Sequence, residues 1–279
     1  MLLLEQIPMR RDNYSYAIIK GDEAIIIDPS TEEESLAYFE ENSHLRLKAI
    51  INTHGHMDHV GGNEALYERW RCPVYGPKLE QERIPCISHK LENKAELNLL
   101  GLSISIHDVK AHTKGHIAVL LKDKVGQIIK HGHGQQKYPA PDLIDRSVMF
   151  VGDSLFAAGC GRLFEGTRDD LLHSLEFYAR QDPDTLMACA HEYTKANLAF
   201  AHKIFPDSVE IKRRQDGLSH ILSHEGSSVP CTFAMEHKTN PFLLALQEPY
   251  LRRLSDNFSI DSKDLSAVVG ELRKAKDHF

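Results

Sequence analysis

Three histidines and one aspartate fall within six residues, in the stretch Thr53-His54-Gly55-His56-Met57-Asp58-His59. The apolar run just before this stretch predicts a buried strand, and residues 64–70 after it predict a helix. Imidazole and carboxylate groups suit zinc, iron or manganese. A histidine-rich turn exposed to solvent is the alternative, but no structural requirement explains this density of ligand groups. We therefore predict metal binding, with His54 and His56 on one ion and Asp58 and His59 on a second.

Further residues of metal-binding type each follow a predicted strand. His112 follows residues 102–107, Asp153 follows 148–151 and His191 follows 186–190. In layered α/β proteins such strand ends line a shared crevice. A single histidine or aspartate there would be a cap or a core residue, but the whole set indicates one centre. The predicted ligand sets are His54, His56 and His112 for one ion, Asp58, His59 and His191 for the other, and Asp153 between them.

This ligand set predicts hydrolytic chemistry. Two ions about 3.5–4 Å apart hold a bridging water as hydroxide at neutral pH and polarise a carbonyl group. A nucleophilic side chain is then unnecessary. The sequence has neither a G-x-S-x-G nucleophile elbow nor a phosphate-binding G-x-x-x-x-G-K-S/T loop.

The composition excludes several classes of protein. The 279 residues are 42% hydrophobic and 26% charged, and the net charge of −7 argues against a general nucleic-acid role. No apolar run approaches the ~20 residues of a membrane span, and the start does not resemble a secretory signal. The acids Glu5 and Asp12 argue against a mitochondrial presequence. Five cysteines without a C-x-x-C pair predict reduced thiols. We expect a cytoplasmic protein, with the mitochondrial matrix as the less favoured location.

The apolar patterns predict an α/β domain followed by a helical one. A hairpin is expected across Gly21-Asp22, and helices are expected over residues 32–42 and 169–180. From about Lys195 the spacing becomes helical and no convincing strand remains. We therefore place a domain boundary near Asn197, which gives a catalytic domain of residues 1–197 and a substrate-binding domain of residues 198–279.

Residues 122–146 predict a long surface excursion with little apolar content after Ile129. The segment contains His131-Gly132-His133, a triplet that can hold a metal ion. No other ligand types lie near it in the sequence, so we interpret it as a polar loop.

The motifs T-H-x-H-x-D-H, H-T-x-G-H, a strand ending in G-D and a late histidine resemble the metallo-β-lactamase superfamily. The segments 158–167, 191–194, 239–242 and 272–279 resemble, more specifically, the glyoxalase II or hydroxyacylglutathione hydrolase family. The similarity extends from Asp12 to the last residue. It implies an α/β fold, the four-layer αββα metallo-β-lactamase sandwich, with a C-terminal α-helical domain.

The resemblance also implies an activity and the residues that carry it. The expected reaction is metal-dependent hydrolysis of an S-(2-hydroxyacyl)glutathione, typically S-D-lactoylglutathione, to a 2-hydroxy acid and glutathione, as in methylglyoxal detoxification. The resemblance implies that all seven ligand positions of the family are occupied by matching residues of this sequence. These residues are expected to hold two divalent ions, zinc first and iron or manganese as alternatives, and Asp58 is also expected to orient the water. We expect a monomer or a weak homo-oligomer without nucleic-acid or membrane partners. The implied glutathione-binding residues are Arg162, Tyr193, Arg273 and Lys276.

Some of these positions have simpler interpretations. Arg273 and Lys276 lie three residues apart, hence on one helix face, where they complement glutathione carboxylates or form a solvated helix end. Tyr193 either faces the site or packs as an aromatic side chain. Phe164 stands where some relatives carry tyrosine, which removes one hydroxyl contact. His116 is expected to support the site without binding metal.

Cys231 stands where the family often has serine, and no role is assigned to it.

Three rival functions remain. A mononuclear-iron glutathione persulfide dioxygenase shares the sandwich and a glutathione-derived substrate. A β-lactamase or lactonase shares the scaffold, and a catalytically silent protein would keep only the metal. The helical tail with Arg273 and Lys276 favours the hydrolase over the first two, and the complete ligand set argues against the third.

Overall fold

The computed structural model describes residues 1–131, 137–139 and 144–279. Within these residues the strands, in chain order, are β1 (Leu2–Met9), β2 (Asn13–Lys20), β3 (Glu23–Ile27), β4 (Arg46–Ile51), β5 (Val74–Pro77), β6 (His89–Leu91), β7 (Glu96–Leu99), β8 (Leu102–Asp108), β9 (Ile117–Val125), β10 (Gln127–His131), β11 (Lys137–Pro139), β12 (Arg146–Gly152), β13 (Leu155–Phe156), β14 (Gly159–Cys160), β15 (Leu186–Cys189) and β16 (Cys231–Thr232).

The helices of the same ranges are α1 (Glu32–Glu41), α2 (Met57–Val60), α3 (Asn63–Trp70), α4 (Arg168–Ala179), α5 (Thr194–Ile204), α6 (Val209–Glu225), α7 (Phe233–Thr239), α8 (Pro241–Leu244), α9 (Tyr250–Phe258) and α10 (Leu265–Asp277). A short 3₁₀ turn, Lys78–Glu80, follows β5. In the described part of the chain, no helix combines the length and the apolar character needed to cross a membrane.

The first sheet is buried on both faces. Its described strands run in the order β11-β10-β1-β2-β3-β4-β5-β6. Side chains alternate across a strand, so on β2 Tyr16 and Ile18 join one hydrophobic cluster while Ala17 and Ile19 join another. Phe39 of α1 belongs to the second cluster, which lies between this sheet and the helices α1 and α3. The sheet is therefore an inner layer of the molecule.

The second sheet faces the first and has the described order β16-β15-β12-β9-β8-β7. Ile106 of β8 and Val119 of β9 pair across the two strands and share a hydrophobic cluster with Ile18 of the first sheet. Leu175 of α4 belongs to the same cluster, so helices cover the outer side of this sheet. The result is the predicted αββα order of layers.

The C-terminal helices extend this core. Leu198, Phe242 and Val268 belong to the same hydrophobic cluster as the strands of the second sheet, and α10 packs against α4. Asn240 caps α8 by accepting the backbone N–H of Phe242 at 3.1 Å. Since one core spans both parts of the chain, the boundary near Asn197 stays a prediction.

The prediction of a surface excursion over residues 122–146 is wrong for those of its residues that the structure describes. β10 lies in the first sheet and pairs in parallel with β1, and Ile128 and Lys130 are buried. The strand was not predicted because the charged Lys130 interrupts its apolar pattern. Lys130 can be buried because its ammonium group donates to Glu225 at 3.0 Å and to the Ser227 carbonyl oxygen at 2.9 Å. His133 lies outside the described residues.

Other short elements also differ from expectation. The predicted absence of strands after Lys195 is wrong, because β16 pairs with β15. β6 and the 3₁₀ turn lie in a part of the chain for which no regular element was predicted. Strands of two or three residues are too short to carry a periodic pattern, so tertiary pairing alone defines them.

Candidate metal centre

The ligand-rich stretch follows β4 and turns into the short helix α2. His54 lies in the loop and His56 occupies the extended position just before the helix, while Asp58 and His59 lie within it. The backbone is therefore extended at His56 and helical from Met57. The helical turn directs Asp58 and His59 toward different partners, and the two ligand sets form on either side of it.

Three imidazoles converge at one point. Nδ1 of His56 lies 3.0 Å from Nε2 of His54 and 3.1 Å from Nε2 of His112. Burial lowers the pKa of His54 well below its ordinary value, and burial also lowers the pKa of His112. A ring nitrogen of imidazole can offer its lone pair to a metal, so three ring nitrogens that face one another suit a shared cation.

A second group of potential ligands lies beside the first. Oδ2 of Asp58 lies 3.5 Å from Nε2 of His191 and 3.9 Å from Nε2 of His59. Burial opposes the charged form of His59, but Asp153 and Asp28 outweigh burial and raise its pKa well above the ordinary value. A metal ion at Nε2 of His59 would also compensate the negative charge of the nearby carboxylates.

Asp153 lies between the two groups. Its Oδ1 is 3.3 Å from Nε2 of His59 and 3.4 Å from Nε2 of His191, and its Oδ2 is 3.5 Å from Nε2 of His112. Burial opposes ionisation, yet the neighbouring His59 and His191 hold the pKa of Asp153 well below its ordinary value. Each oxygen of an ionised carboxylate thus faces one group.

Two buried atoms at this centre are left without a hydrogen-bond partner among the described residues. They are Nε2 of His59 and Oδ1 of Asp153. An unpaired buried polar atom is costly, so such atoms demand an explanation. The donor set and these two atoms fit divalent metal ions of the zinc, iron or manganese type.

Carboxylates that the sequence analysis missed orient the ligand histidines. Nδ1 of His59 donates to Oδ2 of Asp28 at 3.0 Å, and Nδ1 of His191 donates to Oδ1 of Asp12 at 3.2 Å. Such contacts fix which ring nitrogen remains free for a metal. Asp28 directly follows β3, so the position after a strand that predicted Asp153 as a ligand also singles out Asp28.

Asp28 also lies within ligand distance of His54 and His59. Its oxygens are already engaged, because they accept the Thr53 N–H at 2.8 Å and the Thr53 hydroxyl at 2.6 Å as well as the His59 contact. The Thr53 oxygen in turn lies 3.1 Å from Nδ1 of His54. Asp28 is therefore better placed to orient both histidines than to bind metal itself.

Asn13 and His116 complete the surroundings. The Asn13 amide donates to Oδ2 of Asp58 at 3.1 Å. His116 is fully buried, stacks on the ring of His54, and accepts the backbone N–H of Asp153 through Nε2 at 3.0 Å. This placement agrees with a supporting role for His116.

A cavity of about 660 Å³ opens beside the centre. Residues from both ligand groups line it, together with aromatic and basic side chains: His56, Asp58, His112, Asp153, His191, Phe156, Phe164, Tyr193, Arg162, Arg273 and Lys276. A second groove of about 480 Å³ is lined by Arg10, Arg11 and Met57, and it shares Asp58 and His191 with the large cavity. The centre thus borders both openings.

The predicted glutathione-binding residues border the large cavity but differ in exposure. The Arg162 side chain is 64% exposed and lies 3.5 Å from Asp277. Arg273 is 4% exposed; its guanidinium donates to the Cys160 carbonyl oxygen at 2.7 Å and to Asp277 at 3.1 Å. Arg273 therefore fixes α10 against β14 as well as bordering the cavity.

Lys276 and Tyr193 are partly exposed at the same cavity. The Lys276 ammonium donates to the Ala196 carbonyl oxygen at 3.3 Å, and burial lowers its pKa. Tyr193 stacks on His191 with ring centres 4.8 Å apart, so it packs on the centre as well as facing the cavity.

Phe164 and Cys231 have different surroundings. Phe164 is 60% exposed and forms a wall of the cavity, with its ring 5.1 Å from that of His112. Cys231 is buried and donates to Glu236 at 3.3 Å, beside Arg214 and away from the cavity.

Two family models together match most of the chain. The model of the metallo-beta-lactamase superfamily matches residues 9–191, and the model of the hydroxyacylglutathione hydrolase C-terminus matches residues 192–279. A hydroxyacylglutathione hydrolase of Pseudomonas savastanoi pv. phaseolicola is 34% identical over 281 residues, with 100% of both chains covered. The chain belongs to the hydroxyacylglutathione hydrolase family. Another member, from Prochlorococcus marinus, is 36% identical and covers 84% of this chain and 87% of its own.

Solved structures show the same fold at lower identity. ETHE1 from Myxococcus xanthus is 20% identical, with a TM-score of 0.59 over 98% of this chain and 99% of its own. The BLEG-1 B3 metallo-beta-lactamase is 21% identical, with a TM-score of 0.58 over 86% of this chain and 99% of its own. The predicted sandwich fold, helical C-terminal region and family membership are therefore confirmed.

Proposed function

We propose that this hydroxyacylglutathione hydrolase family member hydrolyses S-(2-hydroxyacyl)glutathione thioesters such as S-D-lactoylglutathione, which yields a 2-hydroxy acid and glutathione. The observation that carries the proposal is the shared cavity. Asp58, His112 and Asp153 line this cavity, and so do the basic side chains of Arg273 and Lys276 of α10. A substrate with an anionic thiol portion would thus place its thioester at the candidate metal centre.

We further propose two divalent ions, zinc first and iron or manganese as alternatives. One would be held by His54, His56 and His112, the other by Asp58, His59 and His191, with Asp153 shared. When bound, such ions lower the pKa of a water molecule and polarise a carbonyl oxygen. The unpaired buried atoms of His59 and Asp153 support this assignment.

The side chains around the ligands would orient the reactants. The Asn13 amide holds one oxygen of Asp58, so that the carboxylate is fixed where it can align a water molecule with the thioester carbon. The nearby His59 and the Asn13 hydrogen bond outweigh burial and lower the pKa of Asp58, which keeps it an acceptor. A thiol pKa of about 8.5 makes the thiolate a good leaving group, so no acid is required.

The large cavity would hold the glutathione portion. Arg162 and Lys276 are accessible to its carboxylates, and charge-assisted hydrogen bonds of this kind are strong. Arg273 would act chiefly by fixing α10, and Tyr193 by covering His191. The groove beyond Asp58 would then receive the acyl group.

A persulfide dioxygenase on the same fold is the alternative. A mononuclear iron centre needs only two histidines and one carboxylate, whereas we propose seven ligand side chains for this site. Purified protein should release thiol from S-D-lactoylglutathione, and several other glutathione thioesters should define its acyl preference. Oxygen uptake with glutathione persulfide, without thioester turnover, would contradict the proposal.

Location, assembly and domain limits are also proposed. All five cysteines are free thiols, which favours the reducing cytoplasm. We propose a monomer or weak homo-oligomer, to be measured by analytical ultracentrifugation. The domains are proposed as residues 1–197 and 198–279.

A further inference from the structure

Glu80 is a buried carboxylate that the proposed reaction does not use. It ends the 3₁₀ turn after β5, and only 2% of its surface is exposed. A charged group is expensive to bury unless hydrogen bonds or an opposite charge compensate it. The compensating partners of Glu80 therefore indicate its role.

Those partners lie in two loops that carry candidate metal ligands. Oε2 of Glu80 accepts the backbone N–H of Gly55 at 2.9 Å. Oε1 accepts the backbone N–H of Gly115 at 3.0 Å and also the Thr113 hydroxyl. Gly55 separates His54 from His56, and Thr113 directly follows His112. One carboxylate thus joins the two loops that supply the three converging imidazoles.

The glycines in these loops allow that approach. A Cβ atom on Gly55 would lie 2.6 Å from Cβ of Arg83 and 3.0 Å from Oε2 of Glu80. A Cβ atom on Gly115 would overlap Cγ of Glu80. Both loops can therefore lie against the 3₁₀ turn only with glycine at these positions.

Among the residues that the structure describes, Arg83 is the one basic group that pairs with the carboxylate of Glu80. Nη1 of Arg83 lies 3.8 Å from Oε2, but this arginine is half exposed and lies closer to Glu165, at 2.5 Å. The three donors in the two loops are thus the main compensation for the buried anion. Their removal would free the loops to separate.

We propose that Glu80 is a positioning residue for the ion site formed by His54, His56 and His112. Its carboxylate fixes the spacing between the two loops, so the three imidazole nitrogens meet at one point. The other ligand set is oriented by Asp12, Asp28 and Asn13, so loss of Glu80 should weaken one ion site and spare the second. The inference rests on the proposed two-ion site, but its test measures metal binding directly.

The decisive variant is Glu80→Ala, with Glu80→Gln as the conservative replacement. Metal-free protein would be titrated with Zn²⁺ by calorimetry and, separately, dialysed and analysed for bound zinc. The wild type should bind two equivalents. Glu80→Ala should keep one tight equivalent and bind the other about 10- to 100-fold more weakly, as is usual for partners that orient metal ligands. Glu80→Gln keeps one acceptor oxygen, so its affinity for the weakened zinc ion should lie between those of the wild type and Glu80→Ala.

Glu5→Gln is the matched control, because Glu5 is also buried and lies in a hydrogen-bond network with Tyr38 and His131 away from the ligands. It should lower thermal stability and leave both zinc affinities unchanged. Should Glu80→Ala fail to fold, Thr113→Val removes a single donor and should weaken the same ion site by a smaller factor.

Wild-type zinc affinities in the Glu80 variants, or equal weakening of both ion sites, would overturn the inference. Binding of two zinc ions by the wild type without thioester hydrolysis would contradict the proposed function alone. Zinc binding and thioester turnover therefore separate the two proposals.

Discussion

At the residue scale, the candidate centre depends on which nitrogen of each histidine is left free. Nδ1 of His59 is engaged by Asp28, that of His191 by Asp12, and that of His112 by a backbone carbonyl oxygen. In each of these rings Nε2 therefore faces the centre. The sequence predicted the ligand types and their grouping, but two of these partners lie 31 and 179 positions away. Such distant contacts leave no local pattern.

Asp58 is the residue whose loss should separate catalysis from folding. Its side chain is 37% exposed at the junction of the two openings, so Asp58→Ala leaves no unfilled core. The loss of one proposed ligand, which is also the proposed water-orienting carboxylate, should lower kcat/KM for S-D-lactoylglutathione by at least about 100-fold. Asp184→Ala, on an exposed surface, is the control. Near-normal turnover in Asp58→Ala with an unchanged circular dichroism spectrum would refute the assigned role.

Lys276 should affect substrate binding rather than the chemical step. Hydrogen bonds to charged groups contribute about 1.5–3 kcal/mol, so Lys276→Ala should raise KM about 10-fold and leave kcat nearly unchanged. Lys274 lies on the same helix but pairs with Glu271 at 2.5 Å on the exposed face, so Lys274→Ala is a matched control. Steady-state kinetics of both variants decide the matter. Equal changes in KM would place the glutathione portion elsewhere.

At the element scale, long periodic segments were predictable and short ones were not. The hairpin β2–β3 and the helices α1, α3 and α4 follow from apolar spacing, and Thr167 with Asp170 forms the capping box that starts α4. The strand β10 was missed because buried Lys130 interrupts its apolar pattern. The helix α2 spans only four residues, so nothing in the spacing of Asp58 and His59 distinguished it from an extended loop.

The elements β1, α1 and β10 meet at Glu5, and the contacts of this carboxylate make the free energy of unfolding depend on pH. Glu5 of β1 accepts from Tyr38 of α1 at 2.9 Å and from His131 of β10 at 2.6 Å. Burial raises the pKa of Glu5, but His131, Tyr38 and Lys137 together outweigh burial and lower it from the ordinary 4.5. A lowered folded-state pKa contributes stability above about pH 4.5, and this contribution is lost as the pH falls through the lower folded value.

Glu5→Gln should therefore be less stable than the wild type at pH 6 and approach it in acid. Hydrogen bonds to a charged group contribute about 1.5–3 kcal/mol, which corresponds to a difference of about 3–10 °C in Tm. The difference should shrink as the pH falls below about 4.5, because protonated Glu5 resembles glutamine. Calorimetry of both proteins between pH 3 and pH 6 measures it. A constant difference across this range would exclude the ionised network.

At the scale of the whole molecule, the centre joins parts of the chain that are remote in sequence. Its candidate ligands come from the loop after β4, the loop before β9, and the ends of β12 and β15, so both sheets contribute. Buried carboxylates and imidazoles lie against one another at the centre, and Nε2 of His59 and Oδ1 of Asp153 have no hydrogen-bond partner among the described residues. Metal ions would bind the folded chain in preference to the unfolded chain, which lacks a preformed site, and would thereby stabilise the fold.

Removal of metal should therefore destabilise the whole molecule and abolish activity together. A ligand present at 100 times its Kd stabilises the folded state by about 2.7 kcal/mol, so each ion should contribute about 5–10 °C to Tm. Calorimetry before and after treatment with a chelator should show this decrease, and added Zn²⁺ should reverse it. Asp58→Ala lacks one proposed ligand, so chelation should lower its Tm by less than that of the wild type. An unchanged wild-type Tm would show that buried hydrogen bonds alone compensate these charges, and the two-ion assignment would then be wrong.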